Sequence, residues 1–198
     1  MPDFIKMGVF LMVVGAIATA LLAYTNDITQ APIAEAKRQE TMQSLRMILP
    51  AFDNEPDRDT RELIDGSLNK KQKPVTFFRA KKDGQDVGVA FMVTAPDGYS
   101  GDIDIMMGMD TTGTLTGIRV VGHKETPGLG DKIVITQWPE SFKGKNATNI
   151  RWAVKKDGGD FDQFAGATIT PRAVVKAVKR GIDYFNANQQ KIFQRGEK

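Results

Sequence analysis

The chain has no cysteine and a single histidine, His123, among 198 residues. Without thiols there is no disulfide scaffold, no thiolate zinc site, no cysteine nucleophile and no cysteine-ligated iron–sulfur cluster. One imidazole cannot build a three-histidine metal centre or ligate haem from both sides. Excess charge is missing too. The 27 basic and 24 acidic residues leave a net charge of +3, which gives nucleic acid no electrostatic footprint. The 19 glycines and 9 prolines are near ordinary usage, which excludes a low-complexity linker. A hydrophobic share of 41% and a charged share of 26% exclude a disordered tail and a polytopic membrane protein. The length suits one domain with one appended element. Any redox chemistry must come from a cofactor held without cysteine or a histidine cluster.

What the chain does have is one long apolar run. Met7 to Tyr24 reads MGVFLMVVGAIATALLAY, eighteen residues without a charge. As a helix rising about 1.5 Å per residue it measures about 27 Å, close to the roughly 30 Å of a hydrocarbon core. A cleaved secretory signal is the alternative, because Ala18-Thr19-Ala20 places small residues at suitable spacing. The run continues past that site through Leu21 and Leu22, beyond the about 7–15 residues of a signal core, which favours a retained anchor. Lys6 precedes the run, and no Lys or Arg follows from Thr25 to Ala36. That asymmetry puts the N-terminus inside and the large domain outside, although Lys37 and Arg38 oppose it.

Beyond the run, Pro32 to Leu49 has loosely helical apolar spacing and Pro50 as its stop. Asp53 to Arg61 is charged and poor in apolar residues, and is expected to be a loop. Strand patterns follow. Val75–Lys82 and Val87–Ala95 flank the hairpin dipeptide Asp83-Gly84, and Ile103–Met109 and Thr114–Val121 flank the turn Asp110–Gly113. Ile150–Lys155 is a candidate further strand. Pro171–Asn186 carries Val174, Val178, Ile182 and Phe185 on one helical face, with Thr170 read as N-cap and Pro171 as first helical residue. The expected class is α+β: an antiparallel sheet packed with helices, preceded by one N-terminal transmembrane helix.

Two stretches concentrate the chemistry. Ala165-Gly166-Ala167-Thr168-Ile169-Thr170-Pro171 combines small residues, two hydroxyls two residues apart and the start of a helix, whose free N–H groups favour an anion. Read alone, it is either an anion site at Thr170 or a capped helix packed closely on the sheet. His123 to Lys132 contains Glu125-Thr126-Pro127-Gly128-Leu129-Gly130, a compact glycine loop that can cradle a planar or anionic ligand or simply cover the surface. Arg172 and Lys132 are the nearest basic side chains for a phosphate, or ordinary solvated charges. No side chain is assigned a catalytic role and none a metal.

The two stretches together, with Gly98-Tyr99-Ser100-Gly101, resemble a family of FMN-binding proteins: the G subunit of the Rnf electron-transport complex and the related C subunit of the sodium-translocating NADH:quinone reductase. In that family FMN is attached by a phosphoester to the last threonine of an S/T-G-A-T-x-T motif. Here the motif reads AGATIT, so the resemblance implies attachment at Thr170, with Ala165 departing from the usual Ser or Thr. It further implies cofactor contacts from Gly166, Ala167, Thr168, Glu125, Thr126, Gly128 and Leu129. The implied organisation is an anchor over 1–24, a juxtamembrane helix and linker over 25–60, and an extracytoplasmic FMN-binding domain over 61–198. The implied function is electron relay through covalent FMN in an ion-translocating, Rnf-type ferredoxin:NAD oxidoreductase of a bacterial inner membrane. The N-terminus would be cytoplasmic and the large domain periplasmic. Other subunits of the complex, including polytopic ones, and a flavin transferase would be its partners. A cofactor-free anchored scaffold and the C subunit of the quinone reductase are the alternatives.

Overall fold

A computed structural model describes residues 2–64, 68 and 74–194. The chain forms two units, one ending at Thr41 and the other beginning at Met42. Helix α1 runs from Asp3 to Ile48. Where the sequence suggested a span and then a second helix opening at Pro32, the helix is continuous and Pro32 lies inside it. Strong helix formers such as Ala31, Ala34, Glu35, Ala36 and Lys37 surround the proline and offset the backbone bond it removes. Phe10, Leu11, Ile17, Leu21 and Leu22 are exposed along α1, and the helix is long and apolar enough to cross a membrane. So many unshielded apolar side chains call for a lipid environment.

Five strands form an antiparallel meander in sequential order: β1 Thr60–Ile64, β2 Pro74–Lys82, β3 Gln85–Gly98, β4 Gly101–Asp110 and β5 Leu115–Gly122. The β2–β3 hairpin turns through Asp83 (φ 51°) and Gly84 (φ 76°), the paired positive φ that suits a tight hairpin. Two expectations need correction. Thr60 and Arg61, assigned to the loop, open the edge strand β1, which is held by pairing with β2 more than by burial and so lacks a clear apolar alternation. Among the described residues Ile150–Lys155 forms no named strand; Val154 makes one isolated bridge to Phe161, and Lys155–Asp157 is a 3-10 turn.

The sheet is covered on both faces. Helix α3, Ile169–Phe193, buries Val174, Val178, Ile182 and Phe185 in a core shared with Phe77, Phe91, Val93 and Met107. The last turn of α1 buries Leu45 and Ile48 with Ala80, Ala90 and Met106 in a second, smaller cluster. The Ile48 carbonyl also accepts the Thr116 hydroxyl of β5. Between β5 and α3 the chain makes short helix α2, Lys132–Ile135, and a 3-10 turn, Trp138–Phe142. An aromatic cluster stiffens this region: Phe142 lies 4.4 Å from Phe161 between ring centroids, and Trp138 5.0 Å from Phe142 and 5.7 Å from Phe164. The Trp138 indole N–H donates to the Asp162 carbonyl at 2.8 Å. The cluster thus pins the segment that leads into α3.

Asp59 joins the start of β1 to β2, accepting hydrogen bonds from Lys81 and from Arg79, whose Nε donates at 2.8 Å. Burial raises the Asp59 pKa, but the hydrogen bonds and charges of Lys81 and Arg79 outweigh it and hold the carboxyl below its ordinary value. The folded state therefore favours the ionised form. Asp59→Asn should cost about 1–3 kcal/mol of stability near neutral pH. This contribution is complete above about pH 4, the range of an unfolded aspartate, and is lost as pH falls through the lower folded value. Melting curves of the two proteins should differ at pH 7 and converge in acid.

Candidate functional site

Three loops meet at the start of α3. The first is the β3–β4 turn around Tyr99 and Ser100. The second follows β5, and the third precedes α3. Loops two and three share one design. In Thr126–Leu129 the Leu129 N–H donates to the Thr126 carbonyl at 3.2 Å, with Gly128 in third place at φ 76°. In Phe164–Ala167 the Ala167 N–H donates to the Phe164 carbonyl at 3.1 Å, with Gly166 in third place at φ 77°. A positive φ there is the requirement of a type II turn, and only glycine meets it without strain. The two turns face each other, since a Cβ on Gly166 would lie 3.7 Å from Leu129 Cδ2.

Glu125 ties the three loops together. Its Oε1 accepts the Ser100 backbone N–H at 3.0 Å, and its Oε2 accepts the Thr170 hydroxyl at 2.5 Å. Its own N–H donates to His123 Nδ1 at 3.1 Å. Glu125 is 5% exposed and Thr170 only 1%. A carboxyl so buried requires partners for its oxygens, and these come from residues 25 and 45 positions away. The N-cap of α3 is Thr168, so Thr170 is not the cap and Pro171 not the first helical residue. The Thr170 side chain lies in the first turn and is committed to Glu125.

A cavity of about 270 Å³ opens between the loops. Of the residues expected at a cofactor site, Thr170, Gly166, Ala167, Thr168, Glu125, Thr126 and Leu129 line it. Gly128 does not; it shapes the turn. Sequence reasoning missed Tyr99, Gly130 and Ile169 as lining residues. Tyr99 lay within the quoted Gly98–Gly101 stretch, which was its available signal. Tyr99, Leu129 and Ile169 are 69%, 43% and 44% exposed and give the cavity an apolar rim around a few polar groups, the usual make-up of a ligand pocket. Arg172 is not free for a ligand: its Nε and a terminal nitrogen donate to Asp157 at 2.6 and 2.8 Å. That hydrogen bond holds the Asp157 carboxyl below its ordinary value.

A membrane-capable helix in front of a meander domain whose apolar-rimmed pocket is lined by Thr126, Thr168 and Thr170 defines an anchored small-ligand-binding protein. Comparison narrows the class. The FMN-binding domain family matches residues 98–183, which contain all three loops, and the RnfG N-terminal region family matches residues 3–48, the extent of α1. The G subunit of an ion-translocating oxidoreductase complex from Shewanella baltica is 43% identical over 196 residues, covering 96% of this chain and 92% of the relative. Proteins of the same name from Vibrio cholerae (strain O395) and Pseudomonas aeruginosa (strain PAO1) are 40% and 42% identical; each match covers 94% of this chain, with 92% and 88% of the relative. The chain belongs to this family, the G subunits of ion-translocating oxidoreductase complexes. Its fold is that of the C subunit of the Na(+)-translocating NADH-quinone reductase from Parabacteroides distasonis (TM-score 0.55, 17% identity, 81% of this chain and 94% of that one). NqrC of Shewanella oneidensis is similar in fold too (TM-score 0.52, 24% identity, 67% and 69% covered).

Proposed function

We propose that the chain carries FMN in this pocket, joined through its phosphate to the Thr170 hydroxyl, and relays electrons between subunits of an Rnf-type ion-translocating oxidoreductase complex. One observation carries the reading: Thr170 lines the cavity from the first turn of a 25-residue helix, together with residues of both glycine turns. The first N–H groups of a helix favour a phosphate at that place. Leu129, Ile169 and Tyr99 offer apolar surface for a flavin ring, and Thr126 and Thr168 offer polar contacts at its edge. The residues present therefore fit FMN. Bound flavin supplies one- and two-electron chemistry; the chain supplies position and electrostatics.

The name of the relatives implies other subunits as partners, and a single helix cannot form an ion path, so translocation belongs to polytopic partners. The charge asymmetry around the apolar run supports a cytoplasmic N-terminus and an extracytoplasmic domain over 61–198, where a flavin transferase would attach the cofactor. The test is to produce the full chain with a flavin transferase and separate it on a denaturing gel. The band should fluoresce as flavin, and mass spectrometry should place FMN on the peptide containing Thr170. A dark band, with the transferase active on a control substrate, refutes the reading.

A further inference from the structure

We propose that Glu125 is the general base for the chain's own flavin attachment, taking the Thr170 proton as that oxygen attacks phosphorus. The inference rests on the reading of Thr170 as the attachment residue. A threonine hydroxyl is a weak nucleophile and needs a base within hydrogen-bond reach. Glu125 Oε2 already stands 2.5 Å from Thr170 Oγ1 and accepts its proton. The carboxylate is aimed, not adrift: the Ser100 N–H fixes Oε1, and both partners are buried. Thr170, in the first turn of α3, reaches a carboxylate 45 residues away. Its single proton is thereby committed to Glu125, which leaves the oxygen lone pairs for attack from the cavity.

The step balances with a pyrophosphate-linked FMN donor, a flavin dinucleotide. The bond from Thr170 Oγ1 to the FMN phosphorus forms. The bond from that phosphorus to the bridging oxygen breaks, and the nucleoside monophosphate leaves with the electron pair. The proton passes to Glu125 Oε2, and nothing is oxidised or reduced. A proton on Glu125 also removes the repulsion that a buried carboxylate would exert on the new phosphodiester.

The experiment mixes full-length wild type and Glu125→Gln, both in detergent, with one transferase and flavin dinucleotide, and follows covalent flavin on each by mass. Glutamine keeps the size and can still accept the Ser100 N–H. Near neutral pH the variant should label about 100-fold more slowly or worse. Equal rates would overturn the proposal. Glu125→Asp, which withdraws the carboxylate by one methylene, should label at least about 10-fold more slowly. It decides alone if Glu125→Gln does not melt cooperatively, and a wild-type rate for it overturns the proposal. Thr170→Ala in the same mixture keeps the two ideas apart. Covalent flavin on it would sink the attachment site, whereas a dark Thr170→Ala beside equal wild-type and Glu125→Gln rates would sink only the role of Glu125.

Discussion

Thr170→Ala is expected to leave the denatured chain without flavin fluorescence, and Thr170→Ser to keep it. Serine retains a hydroxyl in reach of Glu125 and of the cavity; alanine removes the only atom through which a phosphoester could form there. Thr168→Ala is the sharper control. Thr168 lines the same cavity two residues earlier and makes no side-chain cap bond, so its loss should leave covalent flavin in place. The structure adds a stability effect. Alanine at position 170 leaves Glu125 Oε2 buried without its donor, which should cost about 1–3 kcal/mol. Thr170→Val fills the space but also lacks the donor, so it should lose flavin and stability together. Intact mass and a thermal melt on each variant check both outcomes. Covalent flavin on Thr170→Val would refute the attachment site, and an unchanged melt would mean that Glu125 finds another partner.

How far the sequence revealed this site depends on the range of each signal. Local signals were faithful. Asp83-Gly84 specified its hairpin through two positive φ angles, and Val174, Val178, Ile182 and Phe185 marked the buried face of α3 through their spacing. Pro127-Gly128 marked a turn that the structure closes as read. Signals that depend on partners elsewhere were not legible. β1 forms because β2 offers it an edge, and TRELI by itself does not announce a strand. Thr170 looked like a cap because threonine before proline usually is one; the helix instead begins earlier, and the hydroxyl turns to Glu125. For Glu125 the resemblance implied only a cofactor contact. Its meaning comes from Ser100 and Thr170, which only the fold brings to its two oxygens. Gly130 read as another loop glycine, while its real constraint is the carboxylate beside it.

That constraint gives the second large effect. Gly130→Ala should lower covalent flavin incorporation by about 100-fold, comparable to loss of the base itself. The backbone at Gly130 is outside the left-handed region, so an alanine there is not strained by conformation. The problem is space. A Cβ would lie 2.6 Å from Glu125 Oε2 and 2.9 Å from Thr170 Oγ1, wedged against both ends of the hydrogen bond. Neither partner yields freely, because Thr170 sits in the first turn of α3 and Glu125 is held by Ser100. Forcing the methyl in should also cost about 1–3 kcal/mol of stability. Gly98→Ala attacks the other oxygen: its Cβ would lie 2.9 Å from Glu125 Oε1 and 2.9 Å from Ile103 Cδ1, and closer still to the Gly101 carbonyl. It should therefore destabilise the β3–β4 turn as well as the site. Comparing the two separates geometry from folding. Gly130→Ala should retain a cooperative melt while labelling poorly, and Gly98→Ala should lose more of its melting temperature. If Gly130→Ala labels at the wild-type rate, the distance between Thr170 and Glu125 does not control attachment, and the site tolerates a base that is out of place.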